Sequence, residues 1–122
     1  MATRITIVDD SAMSRKLLIK ALPATWAIDI HQASNGAEAL DAYHAGKAEV
    51  MFLDLTMPVM DGYQVLEALK HEGFNTFVIV VSADIQPKAQ ERVKQLGAIA
   101  FIKKPVNSEE ITRILKEFGI TG

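Results

Sequence analysis

Five polar residues of this sequence stand within two positions of the end of an apolar segment, and their types are those used in phosphoryl and metal chemistry. They are Asp9, Asp10, Asp54, Ser82 and Lys104. A carboxylate at the end of a buried strand costs free energy unless it is paired or lies in the crevice beyond the strand ends. Asp54, which follows four apolar residues, therefore predicts a polar site, whereas Asp9 and Asp10 could also simply cap a helix.

Three carboxylates in one crevice require a counter-charge, and a hard divalent cation supplies it. Carboxylate oxygens and water suit Mg²⁺, while no histidine lies at metal-ligand spacing, which argues against zinc or iron. With two acids on the metal, the third carboxylate is available as a nucleophile toward phosphorus. The Lys104 ammonium and the Ser82 hydroxyl would then contact the oxygens of an incoming phosphoryl group. Lys104-Pro105 also fits a cis peptide bond that would hold the lysine in one direction.

The elements that must position these residues are visible as alternating strand and helix patterns. Apolar runs predict five strands, at residues 4–8, 28–31, 50–53, 77–81 and 99–102. Apolar residues at helical spacing follow every strand but the second, which is followed by a capping signal, and Arg15, Lys16 and Lys20 lie on the opposite side of the first helix. The pattern therefore predicts five strand–helix units in sequence.

Capping signals mark two of the helix starts. Capping boxes are predicted at residues 35–38 and 107–110, where an Asn is followed three positions later by a Glu. The helix that follows the second box ends the pattern. Its predicted apolar face consists of Ile111, Ile114, Leu115 and Phe118.

Strict alternation of strands and helices requires parallel strands joined by right-handed crossovers. The result is an α/β fold of the (βα)5 kind, in which helices cover both faces of a doubly wound parallel sheet. The carboxyl ends of parallel strands share one edge, and ligands bind there at the point where the strand order reverses. With the first strand at that switch point, all five polar residues should meet at one place.

The composition describes one ordinary globular domain. The 122 residues include 49% apolar and 23% charged residues, with a net charge of −2 and no cysteine. These values give no indication of a nucleic-acid or anionic membrane partner, and they exclude disulfides and thiolate metal sites. The sequence shows neither a signal peptide nor an apolar span of about 20 residues, so a cytoplasmic location is the default expectation.

Four motifs resemble the receiver domain of two-component response regulators, and the likeness covers essentially the whole chain. They are Val8-Asp9-Asp10-Ser11, Asp54-Leu55-Thr56-Met57-Pro58-Val59-Met60-Asp61-Gly62, Ser82-Ala83 and Phe101-Ile102-Lys103-Lys104-Pro105. Each lies at the end of a predicted strand, which makes the four together far more specific than any one alone. The resemblance implies a flavodoxin-like, CheY-like sheet with strand order 2-1-3-4-5. It also implies a single receiver domain over residues 1–122, with no DNA-binding output domain.

The resemblance assigns roles to the polar residues. In the family, the position of Asp54 is phosphorylated by a sensor histidine kinase or phosphotransfer protein, or by small phosphodonors such as acetyl phosphate. Ser82 and Lys104 stand at positions that contact the phosphoryl group. The implied Mg²⁺ ligands are Asp9, Asp10, Asp54 and the main-chain carbonyl of Thr56.

The resemblance further implies a switch rather than an enzyme, since such a domain catalyses only its own phosphorylation and dephosphorylation. Phosphorylation would draw Ser82 toward the phosphoryl group and Phe101 inward, which would reshape the face of helix 4, strand 5 and helix 5 for a target protein. A phosphatase would reset the switch, and chemotaxis or motility control is one implied pathway. Phe101 stands where the chemotaxis proteins typically carry tyrosine, which weakens the case for binding to the flagellar motor switch.

Three alternatives stay open on the sequence alone. A haloacid dehalogenase-type phosphatase also uses an aspartyl nucleophile and Mg²⁺, but the second Asp of that class, two positions later, is Thr56 here. A flavodoxin-like flavin carrier shares the topology, although the acidic residues would repel a flavin phosphate. A degenerate receiver would act only as a phosphorylation-independent binding module, and the presence of all the expected site residues argues against it.

Overall fold

Strands and helices alternate along the chain, in a computed structural model that describes residues 2–84 and 86–121. The strands are β1 (Thr3–Val8), β2 (Ile28–Ala33), β3 (Val50–Leu53), β4 (Phe77–Ser82) and β5 (Ala100–Lys103). The helices are α1 (Ala12–Ala21), α2 (Gly36–His44), α3 (Gly62–Glu72), α4 (Pro87–Gln95) and α5 (Ser108–Glu117). The predicted order of five strand–helix units is confirmed. None of the helices in these two ranges is long and apolar enough to cross a membrane.

The five strands form one parallel sheet in the order β2-β1-β3-β4-β5. The chain passes from β1 outward to β2 and then crosses back to β3, so the strand order reverses between β1 and β3. Val8 is paired with Leu53, and each is the last residue of its strand. Asp9 and Asp54 therefore lie side by side, each one residue beyond the end of its strand, at the carboxyl edge of the sheet. The predicted flavodoxin-like fold is confirmed, including its strand order.

Helices cover both faces of the sheet, which explains the unbroken apolar run of β3. All four residues of this strand are buried. Met51 and Leu53 belong to the core on one face, whereas Val50 and Phe52 belong to the core on the other. The alternation follows the two-residue period of a strand. Asp54 is thus the first polar side chain after a fully buried strand.

The helix caps match their predictions in part. The side chains of Asn35 and Asn107 cap α2 and α5 by accepting main-chain N–H groups, as predicted, but among the described residues the Glu110 carboxylate does not accept from the Asn107 N–H, so the predicted capping box at residues 107–110 is incomplete. The Glu38 carboxylate, however, accepts from the N–H of Ser34 rather than from that of Asn35, so the predicted capping box at residues 35–38 is incomplete. A complete capping box opens α3 instead, where the sequence pattern predicted only a helix start.

The last helix differs from its prediction at one position. Ile111, Ile114 and Leu115 are buried as expected, but Phe118 lies beyond the end of α5 and is 40% exposed. Gly119 follows with a φ of 69°, so the chain turns away from the helix axis there. The predicted apolar face is therefore right for three residues and wrong for Phe118.

Candidate functional site

Three carboxylates meet at the carboxyl edge of the sheet, as predicted. Asp9, Asp10 and Asp54 each offer one oxygen, and these three oxygens lie within 4.8 Å of one another. Asp9 and Asp54 are buried, with 5% and 6% of their surface exposed, whereas Asp10 is exposed. The register of β1 against β3 produces this arrangement, because it places the ends of two buried strands side by side.

Lys104 supplies the positive charge of this cluster. Its Nζ donates a hydrogen bond to Asp9 Oδ2 at 2.8 Å and lies 3.5 Å from Asp54 Oδ1. The main-chain N–H of Lys104 donates to the carbonyl of Ser82 at 2.9 Å, which holds the end of β5 against β4. The Lys104–Pro105 peptide bond is cis, as the sequence predicts. One ammonium group is therefore shared unequally between two buried carboxylates.

The ionisation of Asp54 follows from this unequal sharing. Burial raises the pKa of the Asp54 carboxyl and the negative charge of Asp9 raises it further, while Lys104 opposes both effects. Burial alone would lower the pKa of Lys104, but its hydrogen bond to Asp9 and the charges of both carboxylates outweigh burial and raise that pKa. The cluster is thus short of positive charge, and an added cation would stabilise ionised Asp54.

The donor set fits a hard cation of the size of Mg²⁺. Mg²⁺ binds oxygen at about 2.1 Å in an octahedron, so that two oxygens on opposite sides of the ion are about 4.2 Å apart. The three carboxylate oxygens, which lie within 4.8 Å of one another, need only a small closure to share one such ion. The exposed Asp10 carboxylate also leaves the cluster open to water, which Mg²⁺ usually keeps in its coordination shell.

The other predicted residues lie in different environments. Ser82, the last residue of β4, is buried, and its Oγ accepts a hydrogen bond from the N–H of Asp84 at 3.1 Å. Phe101 is half-buried on β5 and packs against one of the two apolar cores. Thr56, two residues beyond Asp54, is exposed. Ser82 therefore ends its strand at the same sheet edge as the carboxylates, and the roles of Ser82, Thr56 and Phe101 stay predictions.

Ser11 in the β1–α1 connection and Arg15 in α1 contribute more to the site than the sequence pattern predicts. Ser11 caps α1, and its N–H donates to Asp9 Oδ1 at 2.9 Å, so the interpretation of Asp9 and Asp10 as the helix cap is wrong. Arg15, predicted on the solvated face of α1, is half-buried and donates from Nη1 to the main-chain carbonyl of Asp9 at 2.6 Å. The sequence held one indication of this role of Arg15. The residue lies near the start of α1, where the helix dipole disfavours a positive charge.

The loop after Asp54 depends on a close backbone approach. A Cβ atom at Gly62, the first residue of α3, would lie 2.4 Å from the Asp54 carbonyl oxygen and 2.8 Å from Leu55 Cα. Within the same loop, Val59 has a φ of 67° and is 81% exposed. The close contact beside Asp54 therefore requires a residue without a Cβ at position 62. Val59, although β-branched, adopts a backbone conformation that favours glycine.

The fold and the cluster together define a flavodoxin-like α/β protein with an acidic, lysine-bridged site at its switch point. Comparison with known proteins identifies the group within this class. Residues 5–116 match the family model of the response regulator receiver domain. The chain therefore belongs to the response regulator receiver domain family, whose members are signalling modules of two-component phosphorelays.

Individual relatives show the same likeness over most of the chain. The chemotaxis protein CheY of Bacillus subtilis is 32% identical over 117 residues, which cover 96% of this chain and 98% of CheY. The protein-glutamate methylesterase/protein-glutamine glutaminase 2 of Koribacter versatilis is 40% identical over 112 residues, but this chain spans only 31% of that protein. The structure of a CheX–CheY complex with BeF3 and Mg²⁺ from Borrelia burgdorferi superimposes with a TM-score of 0.86 at 28% identity, over 98% of this chain and 90% of that one.

Proposed function

We propose that phosphorylation of Asp54 switches this receiver domain between two states. The observation that carries the proposal is the charge balance of the acid cluster, in which two buried carboxylates share one ammonium group and Asp54 has the longer contact. A carboxylate that is not fully engaged with its cation remains available as a nucleophile. Family membership favours this chemistry over a haloacid dehalogenase-type phosphatase or a flavin carrier.

The proposed reaction is an in-line phosphoryl transfer. An Asp54 oxygen attacks the phosphorus of phosphohistidine or acetyl phosphate, and the bond between phosphorus and the donor breaks with its electron pair leaving on the donor. The Lys104 ammonium and the Ser82 hydroxyl each donate a hydrogen bond to a phosphoryl oxygen. A bound Mg²⁺ would supply further positive charge close to the phosphoryl group. Its proposed ligands are Asp9, Asp10, Asp54 and the main-chain carbonyl of Thr56.

The surface beside the cluster fits a sensor histidine kinase or a phosphotransfer protein as phosphodonor. Met13 and Leu17, one turn apart on α1, are 64% and 51% exposed, although both are large and apolar. Leu17 also lines a cavity of about 310 Å³ to which Asp9, Asp54 and Lys104 contribute. A partner that carries phosphohistidine could therefore cover this apolar surface while it presents the phosphoryl group to Asp54.

The output surface is proposed to be the face formed by α4, β5 and α5. Phe101 and Lys94 line a groove of about 400 Å³ between α4 and β5. Movement of Ser82 toward the phosphoryl group would let Phe101 turn inward, which would reshape this groove for a target protein. The CheX–CheY complex with BeF3 and Mg²⁺ supports a protein partner for this domain. A phosphatase that resets the switch is one such partner. The CheY relative makes chemotaxis the pathway to test first.

Intact-mass spectrometry after incubation with acetyl phosphate tests the proposal. We expect a Mg²⁺-dependent gain of one phosphoryl group in the wild type and in Asp41→Asn, an exposed change on α2, and no gain in Asp54→Asn. If the wild type gains no phosphoryl group and also fails to bind beryllofluoride in the presence of Mg²⁺, the proposal is wrong. The chain would then be a phosphorylation-independent binding module.

A further inference from the structure

The guanidinium group of Arg15 joins the acid cluster to the edge of the sheet. Its Nη1 donates to the Asp9 carbonyl at 2.6 Å, and its Nε donates to Gln32 Oε1 on β2 at 2.8 Å. Arg15 is half-buried, and the first turn of α1 holds no acidic residue to pair with it. Because a guanidinium is planar, two hydrogen bonds from different nitrogens restrain its orientation relative to Asp9.

The carbonyl that Arg15 binds belongs to the peptide unit between Asp9 and Asp10. The other polar groups of Asp9 also have partners: its N–H donates to the Ala33 carbonyl at 3.0 Å, and its two carboxylate oxygens accept from the Ser11 N–H at 2.9 Å and from Lys104 Nζ at 2.8 Å. Asp10, in contrast, is exposed. The direction of its carboxylate therefore depends on the peptide unit that Arg15 holds.

We propose that Arg15 is a positioning residue for the divalent cation bound by Asp9, Asp10 and Asp54. Through its hydrogen bond to the Asp9 carbonyl, it holds the Asp9–Asp10 peptide so that the Asp10 carboxylate stays within reach of the other two. The proposal rests on the Mg²⁺ site proposed above. Groups that orient metal ligands by hydrogen bonding typically change metal affinity about 10- to 100-fold when they are removed.

The charge of Arg15 and its hydrogen bond affect Mg²⁺ binding in opposite directions. A positive charge near the cluster repels the cation, so loss of the charge alone would strengthen binding. Loss of the hydrogen bond releases the peptide unit and weakens binding. Arg15→Gln removes both features, whereas Arg15→Lys keeps the charge and loses the planar, two-nitrogen geometry. The two variants therefore separate positioning from simple electrostatics.

Isothermal titration calorimetry with Mg²⁺ measures this effect, and thermal unfolding without Mg²⁺ shows whether each variant is folded. We expect Arg15→Gln and Arg15→Lys each to bind Mg²⁺ about tenfold more weakly than the wild type. Lys16→Gln removes a charge from the neighbouring exposed position and should change affinity by less than about twofold. Gln32→Ala, which frees one side of the guanidinium, should weaken binding roughly threefold.

Unchanged affinity in Arg15→Lys, or tighter binding in Arg15→Gln, would overturn the proposal, because only charge would then link the residue to the metal. If both Arg15 variants fail to fold, Gln32→Ala decides between the outcomes: weaker binding supports the proposal and unchanged binding overturns it. A wild-type protein that binds no Mg²⁺ would instead overturn the proposed function. The two kinds of failure are therefore distinguishable.

Discussion

Lys104 and Asp9 lie 95 positions apart in the sequence and are joined by a hydrogen bond of 2.8 Å at the carboxyl edge of the sheet. The same ammonium group lies 3.5 Å from Asp54, so its charge is directed mainly at Asp9. A phosphoryl group on Asp54 would present several oxygens to the ammonium, and Lys104 could then move toward them only by weakening its bond to Asp9. In the proposed switch, the Lys104–Asp9 contact therefore belongs to the unphosphorylated arrangement of the site.

Lys104→Met should destabilise the protein, because it leaves two buried carboxylates without their cation. Removal of one partner from a buried ion pair typically costs about 3 to 5 kcal/mol of unfolding free energy. The Lys104 side chain is 25% exposed, and solvent reduces the penalty, so we expect a loss of about 2 kcal/mol by urea unfolding.

Lys103→Met is the matched control for this change, since Lys103 is the neighbouring lysine and is exposed at the end of β5. It should alter the unfolding free energy by less than about 0.5 kcal/mol. Saturating Mg²⁺ should also recover part of the stability lost in Lys104→Met, because the ion replaces the missing positive charge. Equal losses of unfolding free energy in Lys104→Met and Lys103→Met would contradict the role of Lys104 as the cation of the cluster.

Asp54→Asn should stabilise the metal-free protein. Burial and the charge of Asp9 raise the pKa of Asp54, so stability linked to this group is present below its unfolded pKa of about 4 and is lost as the pH rises through its folded pKa. The neutral amide in Asp54→Asn does not ionise, so the variant does not lose stability in this way as the pH rises. We therefore expect a gain of about 1 kcal/mol at about pH 7, and almost none at about pH 3, where both proteins are uncharged at this position.

Urea unfolding at the two pH values measures the effect of Asp54→Asn, with Asp41→Asn on the exposed surface of α2 as its control. Mg²⁺ should reduce the difference in unfolding free energy between Asp54→Asn and the wild type. The ion stabilises the wild type through ionised Asp54 more than it stabilises the variant. A variant that is less stable than the wild type at neutral pH without Mg²⁺ would show that the Asp54 carboxylate is better compensated than its contacts indicate.

The fold and the meeting of the site residues were predictable because both follow from topology. Asp9, Asp54 and Ser82 each stand at or just beyond the end of a strand, and the ends of parallel strands share one edge of the sheet. The unequal contacts of Lys104 with the two carboxylates were not predictable. They depend on side-chain conformations and distances that residue type and spacing do not specify.

The residues that escaped prediction act through backbone geometry. Arg15 has the helical position of a solvated basic residue, but its partner is a main-chain carbonyl, which leaves no trace in the residue types nearby. Phe118 continues the helical spacing of α5, yet the helix ends one residue before it. The positive φ of Val59 also could not be predicted from the sequence, because a β-branched residue predicts an extended conformation.

Val59→Asn should stabilise the protein by relieving backbone strain. Val59 has a φ of 67° and is 81% exposed, so its replacement removes little packing. A side chain with a Cβ in the left-handed region costs roughly 1 to 2 kcal/mol, and Asn tolerates that region better than a β-branched residue does. We expect a gain of about 1 kcal/mol in urea unfolding. Val59→Ile keeps the β-branch and should leave the stability unchanged, whereas a loss in Val59→Asn would show that Val59 is not strained.

Gly62→Ala should be the most damaging of the glycine substitutions near the site. The new Cβ would lie 2.4 Å from the Asp54 carbonyl oxygen and 2.8 Å from Leu55 Cα, which are backbone atoms that cannot rotate away, and 3.0 Å from Leu55 Cδ2. Overpacking of this kind costs about 1 to 3 kcal/mol, and we expect the upper end of that range because the whole loop must shift.

Gly73→Ala separates the close contact at Gly62 from the general cost of replacing a glycine. Gly73 has a φ of 69° and no atom within 4 Å of the position of a Cβ, so only backbone strain of about 1 kcal/mol is expected there. Urea unfolding gives the two stabilities, and the mass gain with acetyl phosphate gives the state of the site. Gly62→Ala should lose phosphorylation as well as stability, because its Cβ displaces the backbone of Asp54, whereas Gly73→Ala should keep it. Full phosphorylation of a destabilised Gly62→Ala would mean that the loop yields without moving Asp54.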